Sequence, residues 1–234
     1  MGPFALYTAV DTRRINSFDL HEVTKMPDRI GIKEQARALL SGRRNDAVLI
    51  YLVGTLVNIG AGALIPGLGA LLVIPVQVGL GLAFLRIWRG QSAEINDIFL
   101  PFKQYQRNLA GLLWMGLWVA LWSLLLVIPG IIKALSYSIT PHILADYPEV
   151  KDTEALRLSM RMTRGRLGGI FLFYLSFIGW SLLSALTLGI LEVLFVGPYR
   201  SIASAGLYEA LKEDALKNGT LRAEELGISR EAAV

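Results

Sequence analysis

Stretches of about 20 residues with almost no Lys, Arg, Asp or Glu recur along this chain. A hydrocarbon core about 30 Å thick requires a helix of about that length. Only 18% of the residues are charged and 53% are hydrophobic, whereas average soluble domains carry about 25% charged residues. Backbone groups in lipid must be satisfied within a helix or a closed barrel, and these continuous apolar runs lack the alternation of barrel strands. The sequence therefore predicts an all-α integral membrane helical bundle.

A pattern that begins at Ile32 occurs three times. Each unit has a short amphipathic basic segment, an apolar span, a glycine-containing apex and a second apolar span with one proline. The units are residues 32–90, 91–148 and 149–211, with apices Pro66-Gly67-Leu68-Gly69, Pro129-Gly130 and Leu188-Gly189 and prolines Pro75, Pro141 and Pro198. Self-similarity at a fixed period is a fold-level signal. It predicts six transmembrane helices as three hairpins, with short interfacial helices between them.

Lys and Arg are absent from the three apices and abundant in the other connections. Basic connections stay in the cytoplasm under the positive-inside rule, so the pattern predicts a multi-pass protein with both termini cytoplasmic. The weak point is the span 131–147, which contains Lys133, Pro141 and His142 and is short for a full crossing. A re-entrant or strongly kinked element is the alternative for that span.

The terminal segments differ in composition from the spans. Residues 1–31 are polar, mixed in charge and contain no apolar core of a signal peptide, which predicts a disordered tail, or a start assigned upstream of Met26. Residues 212–234 are predicted to form a cytoplasmic C-terminal tail. The chain has no Cys, which excludes disulfides and thiolate sites and leaves the redox compartment open.

The basic residues lie beside apolar spans. This placement favours membrane orientation and contact with anionic lipid, rather than nucleic-acid binding, as the reason for the +4 net charge. Between residues 152 and 166, apolar and basic side chains occupy different helix faces, as in an interfacial helix. The arginines predicted to contact anionic headgroups are Arg157, Arg161, Arg164 and Arg166. A helix packed under the bundle with solvated charges is the alternative. A membrane-protein partner or a second copy of the chain is a further expectation.

Motifs of known enzymes are missing from the sequence. It has no His/Glu cluster with metal spacing, no nucleophile elbow, and no glycine-rich phosphate-binding or dinucleotide-binding fingerprint. We therefore expect no catalytic residue, no metal and no cofactor. The series Gly197, Ser201 and Ala205 has the small-xxx-small spacing that lets helices approach closely, and internal packing is favoured over a dimer face.

Ionisable residues inside apolar spans are costly unless they are paired, which makes them candidate functional residues. Lys133 and Glu192 each lie three residues after the apex glycine of their unit, so we expect them at equal depth and able to pair. Arg200 lies near the middle of the last span, just after Pro198. Its predicted polar neighbours are Asn58, Gln77, His142 and Tyr199. A ligand or ion path competes here with a structural role, in which Lys133 and Arg200 snorkel or bind carbonyls freed by the prolines.

A long run of residues carries a family resemblance. It reads Ile-Pro-Gly-Ile-Ile-Lys-Ala-Leu-Ser-Tyr-Ser-Ile-Thr-Pro-His-Ile-Leu-Ala-Asp-Tyr-Pro over 128–148, and is followed by Leu-Ser-Phe-Ile-Gly-Trp over 175–180. The run resembles the bacterial integral-membrane family catalogued as domain of unknown function 975, closely over 124–211 and loosely back to Ile32. The resemblance implies a multi-span protein of the bacterial cytoplasmic (plasma) membrane and supplies no biochemical activity.

A weaker likeness is to the membrane portion of some glycerophosphoryl diester phosphodiesterases. Members of the resembled family usually have Lys-Gly-His-Lys before the fifth span, where this chain has Thr163-Arg-Gly-Arg166. That departure keeps the positive charge and loses a histidine.

The leading functional hypothesis from sequence is a non-enzymatic membrane protein that acts through lipid or another membrane protein. The alternative is a small transporter or channel with a polar site near Arg200, because broken helices near the midplane form the sites of many transporters. A membrane-embedded enzyme is a third class. A polar cavity that converges on Arg200 favours transport, whereas a dry bundle favours the structural interpretation.

Overall fold

The computed structural model describes residues 28–64 and 69–227. Within these residues the chain is helical and contains no strand. The α-helices are α1 Arg29–Gly42, α2 Arg44–Leu64, α3 Gly69–Trp88, α4 Tyr105–Leu125, α5 Val127–Ser136, α6 Thr140–Asp146, α7 Asp152–Thr163, α8 Leu167–Leu175, α9 Ile178–Leu186 and α10 Gly197–Lys217. Short 3-10 helices cover Ile95–Ile98, Leu100–Gln104 and Ala223–Leu226, and a π-helix covers Glu192–Val196. Residues 1–27 and most of the predicted first apex lie outside the described part.

The prediction of an all-α chain is confirmed. Three stretches of the described chain are long and apolar enough to cross a membrane, namely Leu71–Trp88, Val127–Asp146 and Leu167–Leu186. The second stretch combines α5 with α6, and the third combines α8 with α9. Away from the core, large apolar side chains point outward, and Leu124, Leu186 and Leu188 are 87%, 82% and 94% exposed. An exposed apolar surface of this kind suits lipid better than water.

Helix α3 lies at the centre of the bundle and packs against α2, α4, α6 and α10. Its buried side chains include Val76, Phe84 and Ile87. The 3-10 turn Ile95–Ile98 folds back onto α3 at Gly79, where an added Cβ would lie only 2.0 Å from the Ile98 carbonyl oxygen. A side chain at this position would therefore push the connection away from the central helix.

The prolines mark helix starts in two of the three units. Pro141 lies in the first turn of α6 and Pro198 in the first turn of α10, where a missing backbone N–H costs little. Irregular backbone precedes each of them, as turns at residues 137–139 and as the π-helix Glu192–Val196. Pro75, in contrast, lies inside the continuous helix α3. The second apolar spans of units two and three are therefore broken, and that of unit one is not.

The apices required one correction. Pro129-Gly130 is not the turn of unit two, because both residues lie inside α5 and the chain turns at the extended residue Leu126. Proline is tolerated in the first turn of a helix, and Gly130 lets α5 approach α4, since an added Cβ would lie 2.1 Å from Ser123 Oγ. The Leu188-Gly189 apex is confirmed. Both of its residues have positive φ, 52° and 83°, and the Gly189 N–H donates to the Ser184 carbonyl in a helix-ending turn.

The predicted amphipathic segments differ from one another. Helix α1 buries Ile32, Ala36 and Leu40 and packs against α10. The segment 92–107 is not an amphipathic helix, because it forms the two 3-10 turns before α4.

Helix α7 buries its apolar face within the protein. Leu156, Leu158 and Met162 are buried, and α7 packs against α4, α5, α6 and α10. The helix is therefore packed under the bundle, as in the alternative interpretation, and its apolar side does not face the acyl boundary.

Candidate functional site

A partly open cavity of about 370 Å³ lies at Arg200. Its walls come from all three sequence units: α2 and α3 of the first, α6 of the second, and α8 and α10 of the third. The lining residues are Tyr51, Thr55, Asn58, Gln77, Leu80, Gly81, Phe84, Pro141, His142, Tyr174, Arg200, Ser201 and Ser204. Most of these side chains carry a hydroxyl, an amide, an imidazole or a guanidinium group. Such a volume with a few convergent polar groups is typical of small-molecule sites.

Helix periodicity places the polar residues of α2 on one face. Tyr51, Thr55 and Asn58 are separated by four and three residues, so their side chains follow one stripe along the helix. The stripe is about 10 Å long at 1.5 Å per residue. The same spacing recurs in α10, where Ser201 and Ser204 face the cavity. Of these positions only Asn58 was predicted as a neighbour of Arg200, although polar residues at helical spacing within an apolar span are a detectable signal.

Arg200 forms an ion pair with Glu192. The Arg200 Nη2 and Glu192 Oε1 atoms are 2.6 Å apart, and the Tyr51 hydroxyl donates to the same carboxylate oxygen at 3.2 Å. Glu192 begins the π-helix and Arg200 lies in the first turn of α10, so the pair bridges the break in the last apolar span. π-helical turns are rare and are frequently found at functional sites.

Gly197 allows the Tyr51 ring to reach this pair. A Cβ at Gly197 would lie 2.1 Å from Tyr51 Cζ, a distance that real contacts do not reach. Within the described residues, the predicted small-residue spacing that starts at Gly197 therefore serves internal packing. It brings α2 against α10 and holds the Tyr51 hydroxyl at Glu192.

The expected pair between Lys133 and Glu192 is wrong. The Lys133 ammonium lies 5.8 Å and 5.6 Å from the ring centroids of Trp122 and Tyr137, and 3.8 Å from the Met160 sulfur. Equal offsets from the predicted apices do not give equal depth here, because the chain of unit two turns at Leu126, so Lys133 lies farther from its turn than Glu192 lies from its own. Lys133 thus lies in an aromatic environment stabilised by cation–π attraction.

Of the four neighbours predicted for Arg200, Asn58, Gln77 and His142 line the same cavity. Tyr199 does not. It is 2% exposed and packs between Phe177 and Phe195, with ring centroids 5.4 and 5.8 Å away. Tyr199 is therefore a core residue of the bundle.

A single amide contact joins two helices at one end of the cavity. Gln77 Nε2 donates to Asn58 Oδ1 at 3.3 Å, and Asn58 Nδ2 donates to the Gly54 carbonyl at 2.7 Å. Both residues lie in the halves of α2 and α3 farther from Arg44 and Trp88. We call this end the apex end, because the Leu188-Gly189 turn likewise lies at the ends of helices away from the basic connections.

His142 stands at the opposite end of the cavity. It is 8% exposed, its ring stacks on that of Tyr208 at 5.6 Å, and its Nδ1 atom has no hydrogen-bond partner among the described residues. The Tyr208 hydroxyl in turn donates to Asp146 at 2.9 Å. A buried imidazole nitrogen without a partner at a cavity wall can bind a water molecule or a solute hydroxyl.

Four charged residues lie directly beyond His142. We call them the basic-end cluster: Arg89, Asp146, Glu209 and Lys212. Arg89 donates to both Asp146 oxygens at 2.6 and 2.7 Å and to Glu209 at 2.6 Å. The Lys212 ammonium lies 3.2 Å from Asp146 and 2.9 Å from Glu209. The cluster joins the ends of α3 and α6 to the C-terminal half of α10.

Electrostatics keep the cluster ionised. Burial alone would lower the pKa of Lys212, but Asp146 and Glu209 outweigh burial and leave that pKa raised. Burial likewise opposes the charge of Arg89, while the hydrogen bonds and charge of Asp146 raise its pKa overall. Two positive and two negative groups therefore neutralise one another within one network.

Three of the four arginines assigned to headgroups have acidic partners inside the chain. Arg161 pairs with Glu225 at 2.6 Å, and the buried Arg166 pairs with Asp214. Arg157 is 72% exposed and lies 3.7 Å from Glu154, and Arg164 is exposed. Only the last two present their side chains outward.

A match to one family model covers residues 94–215, just over half of the chain, under the description "Protein of unknown function (DUF975)". The chain belongs to the DUF975 family. The DUF975 match includes the cavity residues of α6, α8 and α10, and it begins upstream of the closest resemblance seen in the sequence. No curated protein and no solved structure matches the chain, and the likeness to phosphodiesterase membrane portions stays a prediction. Within the DUF975 match lie both partners of the Glu192–Arg200 pair and three residues of the basic-end cluster.

Proposed function

We propose that this chain is a small transporter or channel of a bacterial cytoplasmic membrane, and that the cavity at Arg200 is its solute site. The observation that carries the proposal is the convergence of polar side chains from all three sequence units on one cavity. A bundle with only a structural role would be more stable without this cavity, because empty space and unpaired polar groups both lower stability.

The broken helices support the same function. Transporters commonly build their sites where helices are interrupted, because freed backbone and side-chain groups face a cavity there. Here α6 begins next to His142 after an irregular turn, and α10 begins next to Arg200 after the π-helix. Both interruptions lie at the cavity wall.

The proposed topology has six crossings, three hairpins and cytoplasmic termini. Its support is the distribution of Lys and Arg, together with α2 and α4, which are each 21 residues long and so about 31 Å in length. Single cysteines at Leu126 and Leu188 test it in this Cys-free chain. Both should react with an impermeant thiol reagent added outside intact cells, and protection of Leu126→Cys alone would make the second hairpin re-entrant.

A flux assay tests the function itself. Vesicles that contain purified Ser204→Cys protein should swell faster than protein-free vesicles in at least one of three iso-osmotic solutes: erythritol, threonate or choline. Modification of the new cysteine by a polar thiol reagent should then block the flux, because Ser204 lines the cavity.

The matched control is Leu182→Cys, on an apolar side chain that is 65% exposed outside the bundle. Its modification should leave the flux unchanged. The proposal is wrong if the vesicles are no more permeable to any of the solutes than protein-free vesicles. It is also wrong if modification of Ser204→Cys leaves the flux unchanged.

A second candidate function is the interaction with anionic lipid that was expected from sequence. The exposure of Arg157 and Arg164 favours it for these two positions. Arg157→Gln with Arg164→Gln should reduce retention of anionic lipid through purification, and Lys217→Gln, an exposed cation paired with Glu213, serves as the control. Unchanged lipid content would leave the cavity as the sole candidate site.

A further inference from the structure

The charge of the cavity wall limits what the cavity can hold. Among the described residues that line it, Arg200 is the one side chain with a fixed charge. That charge is already balanced, since the guanidinium lies 2.6 Å from Glu192. The remaining polar lining consists of hydroxyls, two amides and His142, with aromatic faces from Tyr51, Phe84 and Tyr174.

Resting on the transport function proposed above, we propose that the solute is a small uncharged molecule that both donates and accepts hydrogen bonds, such as a polyol or an amide. An anion at Arg200 would lie next to the Glu192 carboxylate, which already balances the guanidinium charge. A cation at Glu192 would likewise lie next to the guanidinium. A solute charge of either sign is therefore repelled by one partner of the intact pair, so net charge is disfavoured.

Uncharged hydrogen-bonding groups meet no such electrostatic repulsion. The guanidinium uses Nη2 for Glu192, and Arg200 lines the cavity, so its remaining N–H groups can donate to a solute while the pair stays intact. Tyr174 and Ser204 hydroxyls lie 3.4 Å apart, and either can donate to or accept from a solute hydroxyl. Gln77 and Asn58 add amide groups at the apex end. The lining thus supplies donors and acceptors in similar number, as a polyol or amide requires.

Thiol reagents of different charge test this selectivity without knowledge of the natural solute. Ser201→Cys places one thiol beside Arg200 in a chain that has no other cysteine. Its modification rate is measured in reconstituted vesicles with hydroxyethyl, sulfonatoethyl and trimethylammonioethyl methanethiosulfonates. Each rate is divided by the rate of the same reagent with a free thiol in water.

The uncharged reagent should react at least about tenfold faster than either charged one after this correction, which corresponds to a modest electrostatic barrier. Glu192→Gln should raise the rate of the anionic reagent selectively, and Arg200→Gln that of the cationic reagent. The double change should restore preference for the uncharged reagent. Glu213→Gln, which breaks an exposed pair on the same helix, should change none of the three rates.

The outcomes separate the two proposals. Reaction with no reagent, at Ser201→Cys and at the second reporter Ser204→Cys, means that the cavity is closed to polar molecules and removes the transport function. Fastest reaction with a charged reagent leaves the transport function intact and overturns the uncharged class. Unchanged selectivity in Glu192→Gln also overturns it, since the pair would then not set the preference. Glu192→Gln alone decides this point if Arg200→Gln does not fold.

Discussion

The helices around the two ends of the cavity are held together by very different interactions. At the apex end one amide–amide hydrogen bond of 3.3 Å joins Asn58 to Gln77. At the opposite end the basic-end cluster joins three helices through short contacts among four charges. A neutral hydrogen bond contributes about 0.5–1.5 kcal/mol, whereas breaking a buried charge network costs about 3–5 kcal/mol. We therefore expect the helices to separate at lower cost at the apex end than at the basic end.

Removal of the central carboxylate of the basic-end cluster should have the largest effect. The Asp146 side chain is 8% exposed, and Asp146→Ala leaves Arg89 and Lys212 with one acidic partner between them. We expect a loss of about 3 kcal/mol or more, seen as a lower unfolding temperature in mild detergent.

The control for this change is Glu213→Ala, because the Glu213–Lys217 pair is exposed and such pairs contribute about 0–1 kcal/mol. Equal losses in the two variants would mean that the basic-end cluster does not hold the bundle closed.

The Glu192–Arg200 pair should give an intermediate effect. Glu192→Gln and Arg200→Gln should each reduce stability by about 1–3 kcal/mol, the cost of a partly buried charged group without its partner. The double variant should recover most of the loss, because no uncompensated charge then remains. Additive losses in a double-mutant cycle would show that the two side chains do not interact. Lys133→Met combined with Glu192→Gln should be additive and serves as the control pair.

Substitutions at the apex end should have a small effect on stability and a large effect on the access of thiol reagents to the cavity. Asn58→Ala removes the acceptor for Gln77, so we expect a loss of about 1 kcal/mol or less. The same change should speed modification of Ser204→Cys from the apex side. Thr55→Ala is the matched variant, because among the described residues the Thr55 hydroxyl donates to the Tyr51 carbonyl of its own helix and to no other group. An equal gain in access from Thr55→Ala would mean that the amide contact is not the closure.

The smallest effect is expected at the rim of the basic end. The hydrogen bond from Arg161 and the N–H of Arg222 lower the pKa of Glu225 below its ordinary value of 4.5. A carboxyl whose pKa is lowered by folding adds stability above its unfolded pKa and loses it as pH falls through the folded pKa. Unfolding midpoints should therefore decrease as pH falls below about 4.5, and Glu225→Gln should make this slope shallower. An identical slope in Glu225→Gln would assign the pH dependence to other groups.

Much of the architecture follows from solvation and could be predicted from sequence. Apolar runs without charge indicate helices in lipid, and proline and glycine indicate where such helices break, as at Pro141 and Pro198. The neighbourhood of Arg200 was also predictable in part, because polar residues inside apolar spans are costly unless they meet one another. Asn58, Gln77 and His142 satisfy that reasoning.

The errors arose where a turn was misplaced or where the direction of a side chain was unknown. Lys133 and Glu192 were expected at equal depth, but the chain of unit two turns at Leu126, and the two side chains contact different neighbours. The apex of unit two was misplaced because Pro129 can begin a helix as well as end one. The basic-end cluster was missed because Arg89 pairs with Asp146 and Glu209, which are far away in the sequence. No local sequence pattern indicates such pairs.

Access to Ser204→Cys from each side of the membrane tests the central claim most directly. A polar impermeant thiol reagent is applied to reconstituted protein from the apex side and, separately, from the basic side, and the two rates are compared. We predict reaction that is at least about tenfold faster from the apex side, and a selective rise of the basic-side rate in Asp146→Ala. Equal rates from both sides, or faster reaction from the basic side, would contradict a cavity that is held closed by the basic-end cluster.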